Sequence, residues 1–437
     1  MIAAITVPAA RAICWVAREV FDSSVMGRAH YTASFLGTNA RVRMTVGYNP
    51  IPIQMHDNKT RLLLGLALLM MACAILPVGT LGGSPTVAQN PTASPFAGTG
   101  ALTPLDSRET TPIELHVGRG VRGSWFELYF TDPADPAGGQ FTGGVDERLV
   151  LAIDAARLSI HAAIYNLSLD NVRAALIRAH RRGVEVRLVT ESDNLDGDDL
   201  QRLIEAGVPV LGDRREGSMH DKFMVIDGQE VWTGSMNYTG SGVYMDNNCV
   251  IRIFSDELAR SYEAEFSEMF EHDLFGAEGS ISAPRAATEI LGTPVQVLFS
   301  PDDRPESELV NLLDTAQTDV EFLAFSFTSN PLGEGLMRAD EAGVRVRGVM
   351  DEDQASSNIG SELPAFRSAG LDVRLDGNPG QMHEKVFIID GEVVVLGSYN
   401  FSRGANESND ENLLVVHSPL IASLFADEFA RIYAAAP

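Results

Sequence analysis

The chain has 437 residues, 45% hydrophobic and 21% charged, so a wholly disordered protein is excluded and two or three domains are expected. Its 33 Lys+Arg against 59 Asp+Glu give a formal net charge of −26. Residues 1–112 carry 8 basic and 5 acidic groups, so 113–437 hold −29, which repels polyanions and argues against a non-specific nucleic-acid coat.

In chain order, the first feature is an uncharged apolar run from Leu62 to Val78, behind Lys59 and Arg61. It is short for a bilayer span of about 20 residues, and it has the basic-then-apolar layout of a secretory signal that starts at Met55. Residues 1–54 then read as an extension outside the mature protein, and 55–78 as a signal peptide or membrane anchor. The body is expected to be extracytoplasmic, secreted or tethered. Ala72-Cys73 resembles the end of a bacterial lipobox, so lipidation of Cys73 is an alternative tether. Residues 79–112, rich in Gly, Ser, Pro, Thr and Ala, read as a flexible linker. The three cysteines, Cys14, Cys73 and Cys249, offer neither a disulfide framework nor a Cys-type zinc site; Cys249 reads as a buried free thiol.

The body repeats itself. Residues 113–274 form a first unit and 295–437 a second, joined by a linker at 275–294. Phe130-Thr131-Asp132-Pro133 is echoed by Phe299-Ser300-Pro301-Asp302. Each is followed by an amphipathic stretch (145–157 and 306–317) and an apolar run (158–167 and 320–328). A helical segment then ends at Gly183 or Gly343, and a strand follows directly. Strand and helix patterns alternate through both units, which predicts an α/β fold with largely buried sheets.

Each unit then carries the same constellation. His220-x-Lys222 is followed by Asp227 and by Gly234-Ser235-x-Asn237; His383-x-Lys385 by Asp390 and by Gly397-Ser398-x-Asn400. Given the histidine, five further fixed residues match by chance about once in a million, and here they match twice. Strand alternation puts each His and its Lys on one face, and the Gly-Ser turn returns the Asn to the same site. Each copy supplies an imidazole, an ammonium and an amide, half of a phosphate-binding site, and a pseudo-twofold axis would bring the halves together. Asp227 and Asp390 lie an odd number of residues from their Lys and His, off that face, and read as orienting or structural carboxylates.

These paired motifs resemble the phospholipase D superfamily over nearly all of 122–436. Each unit is also similar to the single-repeat endonucleases and mitochondrial cardiolipin hydrolases of that superfamily, through FSPDD, AFSFTS, AGVRVR, MHEK and GSYNFS. The resemblance implies two tandem α/β/α repeats with the active site at their interface, so no oligomer is required. It implies a phosphohistidine mechanism in which one His attacks phosphorus and the other protonates the leaving alcohol. Lys222, Lys385, Asn237 and Asn400, with Ser235 and Ser398, would hold the phosphate oxygens. No metal or other cofactor is called for, because the lysines supply the positive charge.

The family places an acidic residue to hold the unreactive nitrogen of a His. Glu411, in the run DENLLVV after the second motif, is read as the partner of His383. Alignment on Asp-x-Asn puts Asn247 in the matching place of the first unit, with Asp246 beside it. His383 then reads as the resting general acid and His220 as the nucleophile. Phospholipid is the first substrate hypothesis, with membrane proximity. A surface nuclease, with Arg214 and Arg215 on phosphates, is the second, and a cardiolipin-synthase-like transferase the third. Trp125, Tyr129, Tyr165, Tyr238 and Phe327 are pocket candidates, each with a core alternative.

Overall fold

The computed structural model describes residues 109–278, 287–378 and 380–437, together with two short strands nearer the start. Those strands, β1 (Tyr31–Ser34) and β2 (Arg43–Val46), pair antiparallel within a unit of their own, Met1–Gly98. The rest of 1–108 lies outside the described residues, and with it the signal or anchor at 55–78, Cys73 and nearly all of the linker at 79–112. Among the described residues no helix is long and apolar enough to cross a membrane.

Both repeats belong to one compact unit, Thr99–Pro437, and each is built on a mixed sheet. The first repeat orders its strands β3 (Thr111–Ile113), β4 (Arg119–Arg122), β5 (Phe126–Phe130), β11 (Cys249–Phe254), β10 (Glu230–Gly234), β9 (Lys222–Ile226), β6 (Ser159–Ile164), β7 (Glu185–Thr190) and β8 (Val210–Gly212). The second repeats this order, without a counterpart of β3 among the described residues, as β12 (Thr288–Ile290), β13 (Thr293–Ser300), β19 (Glu411–His417), β18 (Val393–Gly397), β17 (Lys385–Ile389), β14 (Asp319–Ala324), β15 (Arg345–Met350) and β16 (Asp372–Leu375). The last three strands of each sheet run parallel, linked by the helices that the glycine stops predicted. Two boundaries move: β3 takes up the end of the expected linker 79–112, and β12 with the start of β13 lies inside the expected linker 275–294.

Helices Val145–Ala155 and Asp170–Arg182 cover the outer face of the first sheet, and Pro305–Thr315 and Asn330–Glu341 that of the second. The long helices Asp256–His272 and Pro419–Ala435 bury their apolar faces in a core shared by both repeats. Aromatic pairs in that core obey the pseudo-twofold: Phe130 packs edge-on to Phe425 at 5.1 Å, and Phe299 to Tyr262 at 5.2 Å. The α/β/α repeat pair expected from the sequence is the observed architecture.

Each His-x-Lys hairpin is pinned at its far end by its aspartate. Asp227 and Asp390 have φ of +54°, each followed by a glycine with positive φ, as an Asp-Gly type I′ hairpin turn requires. Asp227 accepts the backbone N–H groups of Arg157, Leu158 and Ser159; Asp390 accepts those of Gln317, Thr318 and Asp319. Burial works against the Asp390 carboxylate, but the three amides and the Thr318 hydroxyl outweigh it and hold its pKa below the ordinary 3.8. Asp390→Ala is expected to cost about 1–2 kcal/mol, since three donors lose their acceptor. Its folded pKa is depressed, so this contribution is present above the ordinary pKa and disappears as pH falls through the folded value. Urea titrations from pH 7 down into acid check both points, with the difference between wild type and variant narrowing as pH falls.

Candidate active site

The Gly-Ser turns let the two halves close. Gly234 has φ +146°, and a Cβ there would sit 2.2 Å from the Cys249 carbonyl oxygen; Gly397 has φ +153°, with the same 2.2 Å approach to Asn412 O. Only glycine admits that approach. It sets the strand that follows each turn, β11 or β19, so that its leading end runs into the other repeat's motif. There the backbone of His220 donates to Asp410 O at 2.9 Å, and that of His383 donates to Asn247 O at 3.0 Å. Each His-x-Lys segment is therefore hydrogen-bonded to the opposite repeat, and both sets of motif residues meet within one chain.

The partners of the two imidazoles differ from those expected. His220 Nδ1 lies 3.0 Å from Glu411 Oε2, so Glu411 serves the first repeat's histidine and not His383. His383 Nδ1 lies 2.9 Å from Asn248 Oδ1, and Asn247 is not its side-chain partner. Asn247 Oδ1 instead accepts from Asn378 Nδ2 at 3.1 Å, while its backbone carbonyl holds His383. The error is a slip of a single position. One constant offset relates the repeats, from His220 to His383, from Asn237 to Asn400 and from Asn248 to Glu411, whereas the shared Asp-x-Asn letters imply an offset longer by one. The interval that separates Glu411 from His383, counted from His220, ends on Asn248 directly. Such a slip turns a side chain to the opposite face.

Asn248 is held in one orientation. Its Nδ2 donates to Gly242 O at 2.9 Å, and its Oδ1 accepts from Ser235 Oγ at 2.8 Å. Oδ1 therefore faces His383, whose Nδ1 is the donor, and Nε2 is left for the site. Ser398 Oγ accepts from the Asn412 backbone at 3.0 Å, so both Gly-Ser serines brace the turn behind the histidines. Asn400 N donates to Glu411 Oε2 at 3.0 Å, and the Oδ1 atoms of Asn237 and Asn400 are buried without a partner among the described residues.

Lys222 and Lys385 are each 1% exposed, and each ammonium donates to its own histidine's carbonyl oxygen at 2.6 Å. Lys222 Nζ lies 4.9 Å over the Tyr165 ring and Lys385 Nζ 4.6 Å over the Phe325 ring. The same two rings meet His220 and His383 edge-on at 4.8 and 4.6 Å. Burial pushes the Lys222 ammonium down to about 7, against the pull of Glu411 and Asp221, and drives Lys385 well below its ordinary value, with Lys222 adding to the effect. His383 is held well below its ordinary value by burial, then by Lys385 and Lys222. His220 is lowered by burial and Lys222, with Glu411 opposing and Lys385 contributing. The charge of each lysine thus reaches the histidine of the other repeat.

Of the other candidates, Tyr165 faces this site, and Trp125, Tyr129, Tyr238 and Phe327 are core residues. Phe325, close before Phe327, was missed, although it matches Tyr165 one step past the equivalent strands. Arg214 pairs with Asp273, and Arg215 pairs with Asp410 and donates to Ser408 O at 2.6 Å, so both arginines are committed within the protein. Cys249 is a buried free thiol.

Burial and the mutual repulsion of the lysines and histidines disfavour protons in the empty site, and an anion entering it restores them. Two depressed lysines and two depressed histidines all rise in pKa when a phosphate oxyanion arrives. Binding of orthophosphate at pH 7.5 is expected to take up protons, and the measured enthalpy should vary with the ionisation enthalpy of the buffer. Calorimetry in phosphate-free Tris and HEPES checks the sign; proton release would contradict this electrostatic account.

Comparison with known proteins shows the family. The sequence family described as cardiolipin synthase, PLD-like domain, matches residues 149–270 and 309–433. A mitochondrial cardiolipin hydrolase from Chlamydomonas reinhardtii is 31% identical over 179 residues, covering 36% of this chain and 80% of that protein. The human mitochondrial cardiolipin hydrolase is 38% identical over 127 residues, 29% of this chain and 50% of that protein, so about half its length is spanned. Among solved structures, phosphatidylserine synthase from Haemophilus influenzae has a similar fold, with TM-score 0.52 at 16% identity over 67% of this chain and 86% of that one.

Proposed function

The chain belongs to the phospholipase D superfamily and is a phospholipase D-like phosphodiester hydrolase, and from that premise we propose that it cleaves phospholipid head groups through a phosphohistidine on His220. The observation that carries the assignment is Glu411 Oε2 at 3.0 Å from His220 Nδ1, opposite an uncharged Asn248 on His383. Glu411 fixes the proton on Nδ1, which leaves the Nε2 lone pair for attack. Nε2 bonds to phosphorus, the bond from phosphorus to the leaving alcohol breaks, and its electron pair departs with the oxygen. That oxygen takes a proton from His383, which acquired it as the substrate anion offset the lysine charges. His383 then removes a proton from water, the water oxygen bonds to phosphorus, and the P–N bond returns its electrons to His220. The imidazole carries a positive charge while phosphorylated, and the carboxylate offsets it. The same residue is nucleophile as in the sequence reading, for the reverse reason: the carboxylate marks the attacking histidine and not the acid. Lys222, Lys385, Asn237 and Asn400 hold the non-bridging oxygens, and the lysines supply the charge that transfer through phosphorus needs.

Lipid is favoured over nucleic acid by charge. Residues 113–437 carry −29, and carboxylates flank both halves of the site: Glu191 and Asp193 act on Tyr165, and Asp351 and Asp246 lie within electrostatic reach of Lys385. A polyanion meets repulsion along its length, whereas one phosphodiester at a lipid surface needs only the central lysines. In this reading the apolar run at 62–78 exports or tethers the body outside the cytoplasm, next to its substrate. The test is incubation with phosphatidylcholine vesicles, cardiolipin vesicles and plasmid DNA in EDTA. Release of choline, or of phosphatidic acid from cardiolipin, with intact plasmid supports the proposal. Nicked plasmid with untouched lipid overturns it in favour of a nuclease.

A further inference from the structure

The residue between the histidine and the lysine points away from the substrate, into the core shared by the repeats, and the two copies have different surroundings. Asp221 is fully buried, and its Oδ1 accepts from Asn412 Nδ2 at 2.6 Å. Asn412, itself fully buried, is the residue next to Glu411. Its Oδ1 accepts from Thr233 Oγ1 at 2.7 Å and Tyr262 OH at 3.3 Å, and its backbone N donates to Ser398 Oγ at 3.0 Å. Three first-repeat side chains therefore grip one second-repeat amide, at the root of the carboxylate that faces His220. At the equivalent positions of the other copy, Glu384 stands in place of Asp221 and Cys249 in place of Asn412. Both Glu384 carboxyl oxygens are buried without a partner among the described residues, so that side has no such grip.

We infer that Asp221 is a positioning residue: through Asn412 it fixes Glu411 against His220, and it thereby makes the first repeat's histidine the nucleophile. This rests on the proposed reaction and adds a device that selects between two nearly equivalent imidazoles. Loss of the grip leaves Glu411 present but held only through the Asn400 backbone N–H at 3.0 Å and Asn409 Nδ2 at 2.9 Å, so its carboxylate shifts relative to His220. A shift of about 1 Å in such a group costs up to about 10²-fold in rate.

Bis(p-nitrophenyl) phosphate, whose leaving group needs little protonation, is the probe. Asp221→Leu is expected to lower kcat about 10- to 100-fold, with KM within about threefold of wild type. The charges facing His220 are Lys222, Lys385 and Glu411, with the Tyr165 ring edge-on; Asp221 faces Asp410, Glu411 and Lys222 on its other sides. Of these, only Glu411 raises the His220 pKa, so its displacement moves the acid limb of kcat/KM to lower pH. Thr233→Val, nearly isosteric, loosens Asn412 from its other end and should shift the limb the same way, which covers the case in which Asp221→Leu does not fold. Glu411→Gln in either background should absorb the effect: Asp221→Leu then costs nothing further. An unchanged acid limb in both variants, or additive losses with Glu411→Gln, overturns the positioning role. If phosphoryl label maps to His383 in the wild type, the underlying reaction order has failed instead.

Discussion

In His383→Asn, phosphoryl label from a p-nitrophenyl phosphodiester is expected to accumulate on His220, and in His220→Asn no histidine is labelled. Turnover falls at least about 10³-fold in both, because removal of an attacking or proton-transferring group removes the route and not only a contact. The asymmetry comes from environment, since the two imidazoles have the same backbone anchorage, the same lysine spacing and an edge-on aromatic ring each, Tyr165 or Phe325. They differ in what stands behind Nδ1. A carboxylate 3.0 Å from His220 meets the positive charge of the phosphorylated ring, whereas the Asn248 carbonyl at 2.9 Å from His383 is only a dipole. A full negative charge at that separation attracts the cationic ring more than a neutral dipole does, which favours the His220 side when all else is equal. Asparagine is the substitution of choice at 220 because alanine would leave the fully buried Glu411 charge unpaired and confuse a chemical loss with a folding loss. Mass spectrometry of the labelled peptides settles the order: label on His383 in the His220 variant would reverse it.

The halves of this site were legible separately, and their exchange was not. His220 with Lys222, and His383 with Lys385, follow from alternation along β9 and β17, and the Gly-Ser turns from the need for positive φ at Gly234 and Gly397. Asp227 and Asp390 were placed off the substrate face by the same parity, and they bind backbone amides at the far end of the hairpins. The pairing of Glu411 with His220 depends on which repeat's strand crosses the axis, a tertiary fact with no local trace. The slip from Asn248 to Asn247 had a local remedy, because an offset that holds for the histidines, the lysines and the asparagines is stronger evidence than two matching letters. Arg215 shows the same limit: near the motif in sequence it looks free for phosphate, yet it spans the interface to Asp410, whose carbonyl holds His220.

Lys385→Met should lower kcat about 10²- to 10³-fold on any phosphodiester and at the same time make the empty protein more stable. Both effects have one cause. Lys385 is 1% exposed, and burial drives its pKa well below the ordinary 10.5, so the fold holds an ammonium where an apolar chain would rest more easily. The sign with pH follows. The folded pKa lies below the unfolded one, so the unfolded chain binds the extra proton between them and wild-type stability rises with pH across that window. The advantage of the methionine variant is therefore largest below the folded pKa and fades as pH rises toward the ordinary lysine value of 10.5. Activity runs the other way, because the charge repelled by an empty site is what a phosphorane's oxygens attract. Loss of Lys385 also removes the largest charge that lowers His383, so the residual activity should keep its basic limb to higher pH. Lys385→Arg should not rescue: a planar guanidinium cannot both donate to His383 O at 2.6 Å and occupy the ammonium's place 4.6 Å over Phe325. Thermal melts at pH 6, 7.5 and 9, with and without orthophosphate, separate the two effects. Orthophosphate should raise the wild-type midpoint and leave the variant nearly unmoved, because stabilisation by a ligand follows its affinity for the folded state and the variant has lost half of its anion-binding charge.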